Sequence, residues 1–155
     1  MVEHGNRTVA QVLGEITWLL SQTASHKHLT LGDLEWAVMP AILLNQFQIF
    51  YNEKQPVAVA MWALLSEEKE KLLTAQIEAN KPARLDPVAW RSGDRLWLLD
   101  LVSPFATPEN NFYEKLIDQI AAGLFKDKPF RFIRLNTTTR LHELAAMDYR
   151  EMGNA

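Results

Sequence analysis

The 155-residue chain has no cysteine. That absence removes disulfides, thiolate nucleophiles and cysteine-type zinc sites together, and is compatible with a reducing compartment. Long apolar runs are missing too. The longest, AVMPAILL at 37–44 and VAVAMWALL at 57–65, fall far short of the roughly 20 residues a membrane-spanning helix needs. The opening MVEHGNRTVAQ lacks a basic start, an apolar core and a small-residue cleavage site, so no secretory signal is predicted and a cytoplasmic protein is expected. Neither sign of charge dominates. Interleaved, 16 basic and 19 acidic residues leave a net charge of −3, which argues against a general nucleic-acid surface. There is no phosphate-cradling G-x-x-x-x-G-K-[ST], no G-x-G-x-x-G, no G-x-S-x-G elbow, no internal repeat and no low-complexity tract.

What is present suits a globular protein: 48% apolar and 23% charged residues, at a length able to bury an ordinary core. One domain over residues 1–155 is expected. Thr8 with Gln11 gives a capping box, and Val9, Val12, Leu13, Ile16, Leu19 and Leu20 recur at helical spacing, predicting a helix over 8–22. SQTASHK reads as a loop. Thr30 with Asp33 caps a shorter helix that Pro40 should end or kink. QFQIFY (46–51) and PVAVAMWALL (56–65) flank NEKQ as a hairpin with a four-residue loop. Ser66 followed by Glu67, Glu68 and Glu70 starts a helix to about Glu78, its acids facing the positive end of the dipole. The proline-containing stretch to Asp94 reads as loop, and LWLLDLV (96–102) as a central strand covered on both faces. Thr107-Pro108 predicts a helix start there, running to about 125; FRFIRL (130–135) is a strand, and LHELAAMDYREM a short helix or a strand followed by one. This order implies an α/β fold with one mixed sheet flanked by helices.

Asp100 is the most informative position, because a carboxylate buried in an apolar strand is costly unless hydrogen-bonded or charge-paired. Two readings stand: a structural acid held by an arginine or loop amides, or an acid that accepts the Nδ1 proton of a catalytic imidazole. His26 and His28, two apart in the polar loop after the first helix, are the histidines to ask about. No cysteine or close carboxylate completes a metal set with them, so no metal is expected, and pattern alone does not choose among His4, His26, His28 and His142. Trp18, Trp62 and Trp97 lie in apolar runs and read as core. Arg131 and Arg134 read as the exposed side of an alternating strand, with phosphate or an acidic carrier as the other possibility.

Several ordered blocks resemble one family. VLGEITWLLSQTASH is similar to the opening of the RTX toxin-activating lysine acyltransferases of the haemolysin-activating type, a V-L-G helix whose Trp precedes the catalytic histidine by eight residues. MPAILLNQF resembles their L-P-A-I-x-x-N-Q segment, PVAVAMWALLS their P-V-A-x-x-x-W-A-x-L-S strand, SGDRLWLLDLVSPF their S-G-D-R-x-W-x-x-D-x-x-x-P-F block, and FRFIRL their F-R-x-I-R strand. The resemblance implies a GNAT-like acyltransferase that moves a fatty acyl chain from acyl carrier protein to internal lysine ε-amines of an RTX protoxin in the cytosol. It implies a homodimer, no bound cofactor beyond the phosphopantetheine thioester of the donor, and His26 and Asp100 as the catalytic pair. Asn45, in the matching N-Q segment, is a weak candidate for substrate binding as an oxyanion donor, with a structural turn role equally open. Two departures stand out: SPFATPENN has no glycine where GNAT enzymes cradle a pyrophosphate, and only about twenty residues follow FRFIRL, where better-known members continue with a glycine-containing strand and a further helix. The shorter end motivates an alternative, a non-catalytic binding or chaperone partner of an exported RTX protein on the same scaffold.

Overall fold

The computed structural model describes residues 7–135 and 142–147. Thr8 caps α1 (Val9–Leu20) with the reciprocal Thr8–Gln11 box expected from the sequence, and Val12, Ile16, Leu19 and Leu20 face the core. Trp18 departs from expectation. It lies off that stripe and is 42% exposed, whereas Trp97 is fully buried. After the polar turn, the Thr30–Asp33 box starts a 3-10 turn that runs into α2 (Leu34–Ala37), and Pro40 sits in the first turn of α3 (Met39–Leu43), so the chain kinks at Val38.

The hairpin pairs β1 (Phe47–Asn52) with β2 (Gln55–Leu65), but it is tighter than expected: Asn52 pairs with Gln55, which leaves a two-residue turn with Glu53 at φ 56°. Ser66 caps α4 (Glu67–Glu78) as predicted. A connection with one 3-10 turn at Pro87–Trp90 leads to β3 (Arg95–Val102). The next helix starts later than Thr107-Pro108 suggested, as α5 (Phe112–Ala122). Thr107 and Asn110 bond each other's backbone reciprocally, Asn110 Oδ1 also accepts from the Phe112 amide, and Asn111 is left-handed at φ 54°. That closes a separate turn which a regular helix cannot continue through. β4 (Phe130–Leu135) and β5 (His142–Met147) complete the fold.

The five strands lie in the order β1-β2-β3-β4-β5, antiparallel except for the parallel β3–β4 step, which α5 bridges. Helices cover both faces, as the mixed α/β reading required. On one face α1, α3 and α4 pack through Ile16, Leu19, Ala41 and Leu73 onto Val59, Met61 and Trp97. On the other, α5 packs Leu116, Ile117 and Ile120 onto Ala60, Leu98 and Phe132.

Strand β3 has two irregularities. In its ladder with β2, Met61 faces Asp100 and Trp62 faces Leu98, so Leu99 is an extra residue in a β-bulge. Trp97 and Leu99 pack on the α1 side and Leu98 on the α5 side; strict alternation would then send Asp100 toward α5, yet it is Leu101 that packs there and Val102 that returns to the α1 side. The bulge thus turns Asp100 to the α1 face. The second irregularity is a parting of strands: the parallel ladder consists of Trp97 with Arg131 and Leu98 with Phe132, while β3 runs on to Val102 and β4 to Leu135.

Candidate active site

Beyond α1 the polar residues Ser21–His28 form successive turns, with the amides of His26 and Lys27 both bonded to the Thr23 carbonyl. These turns carry the His26 ring onto the bulged end of β3. His26 Nε2 lies 2.7 Å from Asp100 Oδ2, with side-chain exposures of 18% and 35%. A carboxylate only accepts, so Nε2 carries the proton and the remaining base nitrogen is Nδ1. This corrects the expectation that Asp100 would hold Nδ1. Two hydroxyls reach Nδ1 instead, Thr23 Oγ1 at 2.8 Å and Ser25 Oγ at 2.9 Å. Burial is the largest influence on the imidazole and alone would lower its pKa; the Asp100 charge and hydrogen bond together outweigh it, and the pKa is raised above the ordinary value.

The pair stands in a cleft of about 870 Å³, within the size range of small-molecule sites. The cleft opens where β3 and β4 part, between Leu99, Leu101 and Ile133, and its deeper wall is apolar, formed by Leu73, Leu85 and Trp90. Residues of more polar character, among them Asn80, Lys81, Thr107 and Asn111, line it toward solvent.

A partly apolar cleft that carries a histidine–carboxylate pair suits acid–base chemistry on a substrate with an apolar part. The family model for RTX toxin acyltransferases matches residues 5–145. The chain belongs to that family. Among its relatives are the protein-lysine myristoyltransferase HlyC of Escherichia coli, 31% identical over 136 residues (87% of this chain, 73% of that protein), and the RTX-I toxin-activating lysine-acyltransferase ApxIC of Actinobacillus pleuropneumoniae, 30% identical over 135 residues (87% and 72%). The leukotoxin-activating lysine-acyltransferase LktC of Mannheimia haemolytica serotype A1 is 35% identical over 100 residues, covering 64% of this chain and 57% of its own length.

Not every residue of the acyltransferase's recognisable blocks serves the cleft. Asn45 is not among the cleft's lining residues; it occupies the left-handed region at φ 57° where α3 passes into β1, a conformation asparagine tolerates well. Gln46 beside it is buried and staples the fold, its amide donating to the Trp62 and Trp90 carbonyls while its oxygen accepts from Arg91. In the S-G-D-R block, the Ser92 and Gly93 amides both bond the Leu64 carbonyl, and Ser92 Oγ accepts from the Ser66 amide. A Cβ on Gly93 would stand 2.5 Å from the Leu65 carbonyl oxygen, so this corner admits only glycine without backbone movement.

Glu70, expected to serve the helix dipole, does more. Its side chain, 11% exposed, accepts from Trp97 Nε1 at 2.8 Å and Arg95 at 2.8 Å, with Arg131 at 3.6 Å. Its spacing from Leu73 and Ile77 on one helical face was the available signal. Arg131 is thereby tied to a structural clasp, while the side chain of Arg134, the side chain of His142 and all of His4 lie outside the described residues. His28 is exposed at the cleft. Among the described residues no helix is long and apolar enough to cross a membrane, and no three His, Cys, Asp or Glu residues cluster as metal ligands.

Proposed function

We propose that this acyltransferase moves a fatty acyl chain from the phosphopantetheine thioester of acyl carrier protein to lysine ε-amines of an RTX protoxin in the cytoplasm, as one catalytic domain of GNAT-like form. The observation that carries the mechanism is the 2.7 Å contact between His26 and Asp100 inside the apolar-walled cleft. A lysine amine with a pKa near 10.4 is neutral only to about 1 part in 2,500 at pH 7, so its attack needs a base. His26 accepts the proton as the amine attacks the thioester carbonyl. Asp100 fixes the ring's tautomer and stabilises the imidazolium. The proton then passes to the departing pantetheine sulfur, leaving an amide and a free thiol.

Other observations support the donor. The β3–β4 ladder ends at Leu98 and Phe132, and Leu99, Leu101 and Ile133 beyond it line the cleft, a setting suited to a pantetheine arm, while Leu73, Leu85 and Trp90 suit a hydrocarbon chain. SPFATPENN, without glycine, fits a donor whose single phosphodiester needs less of an anion nest than a pyrophosphate does. Exposed Leu31, Leu43 and Val88 are consistent with pairing of two copies, which sedimentation at micromolar concentration tests.

Intact-mass spectrometry of a protoxin incubated with the protein and acyl carrier protein tests the activity. Mass gain on lysine should fall by roughly 10²-fold to 10⁴-fold in His26→Ala, with the fold retained. Equal transfer by that variant would overturn the mechanism. Binding of protoxin without transfer by the parent would favour the non-catalytic reading.

A further inference from the structure

Building on His26 as the base, we propose that the Ser25 hydroxyl is a catalytic proton relay standing between the acceptor amine and His26 Nδ1. With Nε2 committed to Asp100, Nδ1 is the nitrogen left to take a proton, and hydroxyls already occupy it. An amine reaching Nδ1 directly would have to displace one of them. The two hydroxyls differ in every respect that matters. Thr23 is half-buried, is absent from the cleft lining, and reaches the Leu20 carbonyl at 3.2 Å, so its proton has a fixed acceptor. Ser25 is exposed, lines the cleft, and has Nδ1 at 2.9 Å. A substrate amine entering from the cleft meets the Ser25 oxygen first.

The two hydroxyls serve the ring differently in its two charge states. In the neutral imidazole, the single in-plane lone pair of Nδ1 accepts from Ser25. In the imidazolium, Nδ1–H is shared between Ser25 Oγ and Thr23 Oγ1, and the threonine keeps its own proton in a hydrogen bond to the Leu20 carbonyl. In the forward step the amine nitrogen forms its bond to the thioester carbon and gives its proton to Ser25 Oγ, as the Ser25 proton moves to Nδ1. On collapse of the tetrahedral intermediate the C–S bond breaks. The imidazolium proton returns through Ser25 to the sulfur, and both the serine and the neutral ring are regenerated.

The test is single-turnover acylation of the protoxin from saturating acyl carrier protein, measured in mixtures of light and heavy water. Two protons in flight give the parent a curved dependence of rate on deuterium fraction. Ser25→Ala should lose about 10-fold to 100-fold in rate, bind donor and acceptor as the parent does, melt at the parent's temperature, and show a linear dependence. Ser25→Thr, which keeps a hydroxyl, should restore most of the rate and the curvature. A Ser25→Ala rate within twofold of the parent overturns the relay, and so does a slower variant whose dependence is still curved. His26→Ala, run alongside, separates the two ideas: if it is inactive while Ser25→Ala is unimpaired, the relay alone falls; if it transfers at the parent rate, the base assignment beneath it falls as well.

Discussion

Replacing Asp100 by asparagine keeps the size of the side chain and a hydrogen-bond acceptor for Nε2–H, and removes the charge. Unit charges about 4 Å apart attract by about 4 kcal/mol at an effective dielectric near 20 and about 1 kcal/mol in bulk water. His26 is 18% exposed and Asp100 35%, so solvent screens the pair in part and the value lies between those limits. A loss of about 2–3 kcal/mol in stabilising the forming imidazolium corresponds to roughly 30- to 150-fold in single-turnover rate. The pH dependence carries a second signature. In the parent, the raised pKa of His26 holds the ring protonated at and somewhat above the ordinary histidine value of about 6.5, so transfer falls as pH drops through that raised value. Without the carboxylate, burial becomes the prevailing influence and favours the neutral ring, so the acid limb of the rate profile should move to lower pH. The variant is therefore slower at its plateau yet less sensitive to acid. An unchanged rate, an acid limb that stays in place, or a loss that tracks unfolding by circular dichroism would each refute this reasoning.

Other perturbations act on the scaffold. Glu70→Ala should cost about 1–3 kcal/mol in chemical denaturation, chiefly because it strands the buried Trp97 indole N–H, while Arg95 and Arg131, both nearly half exposed, turn to water. Burial, the largest single influence, pushes the Glu70 pKa up; the bonds from Trp97 and Arg95 and the charges of Arg131 and Arg95 outweigh it, and the net pKa is lowered. The ionised clasp therefore contributes its full stability above the unfolded pKa of about 4.3 and loses it as pH falls through the lower folded value, so Glu70→Gln should flatten that acid-side loss. Gly93→Ala should lower stability by about 1–3 kcal/mol, measured by thermal unfolding, since its Cβ meets backbone rather than a yielding side chain. A Gly93→Ala protein as stable as the parent would show that the corner relaxes freely.

Much of the architecture was legible because it follows from local chemistry. The Thr8 and Thr30 boxes, the Ser66 cap and the apolar stripe of α1 each announce themselves through a side chain acting within a few residues. Asp100 drew attention by being wrong for its surroundings, and His26 through the family pattern; the structure brings the two within hydrogen-bond distance across 74 positions. What escaped the sequence depends on contacts between distant segments. The side of the imidazole that meets Asp100 depends on how the turns after α1 approach β3. Asn110 closing a turn of its own delays α5, and Trp18 lies beside the core stripe rather than in it. Ser92 and Gly93 read as ordinary loop residues until the end of β2 is seen packed against them.

The extra residue at Leu99 makes the direction of Asp100 a matter of counting rather than of chemical type. Side chains along β3 can drift in evolution without disturbing that count. Deleting one residue after Asp100, such as Leu101, has a different effect: it restores an unbroken ladder with β2, a gain for the scaffold, and rotates the carboxylate into the company of Leu116, Ile120 and Phe132. Such a shortened chain would keep every residue that chemistry requires and hold the acid on the wrong side of the sheet. Natural variants of this strand should therefore accept substitutions far more readily than changes of length.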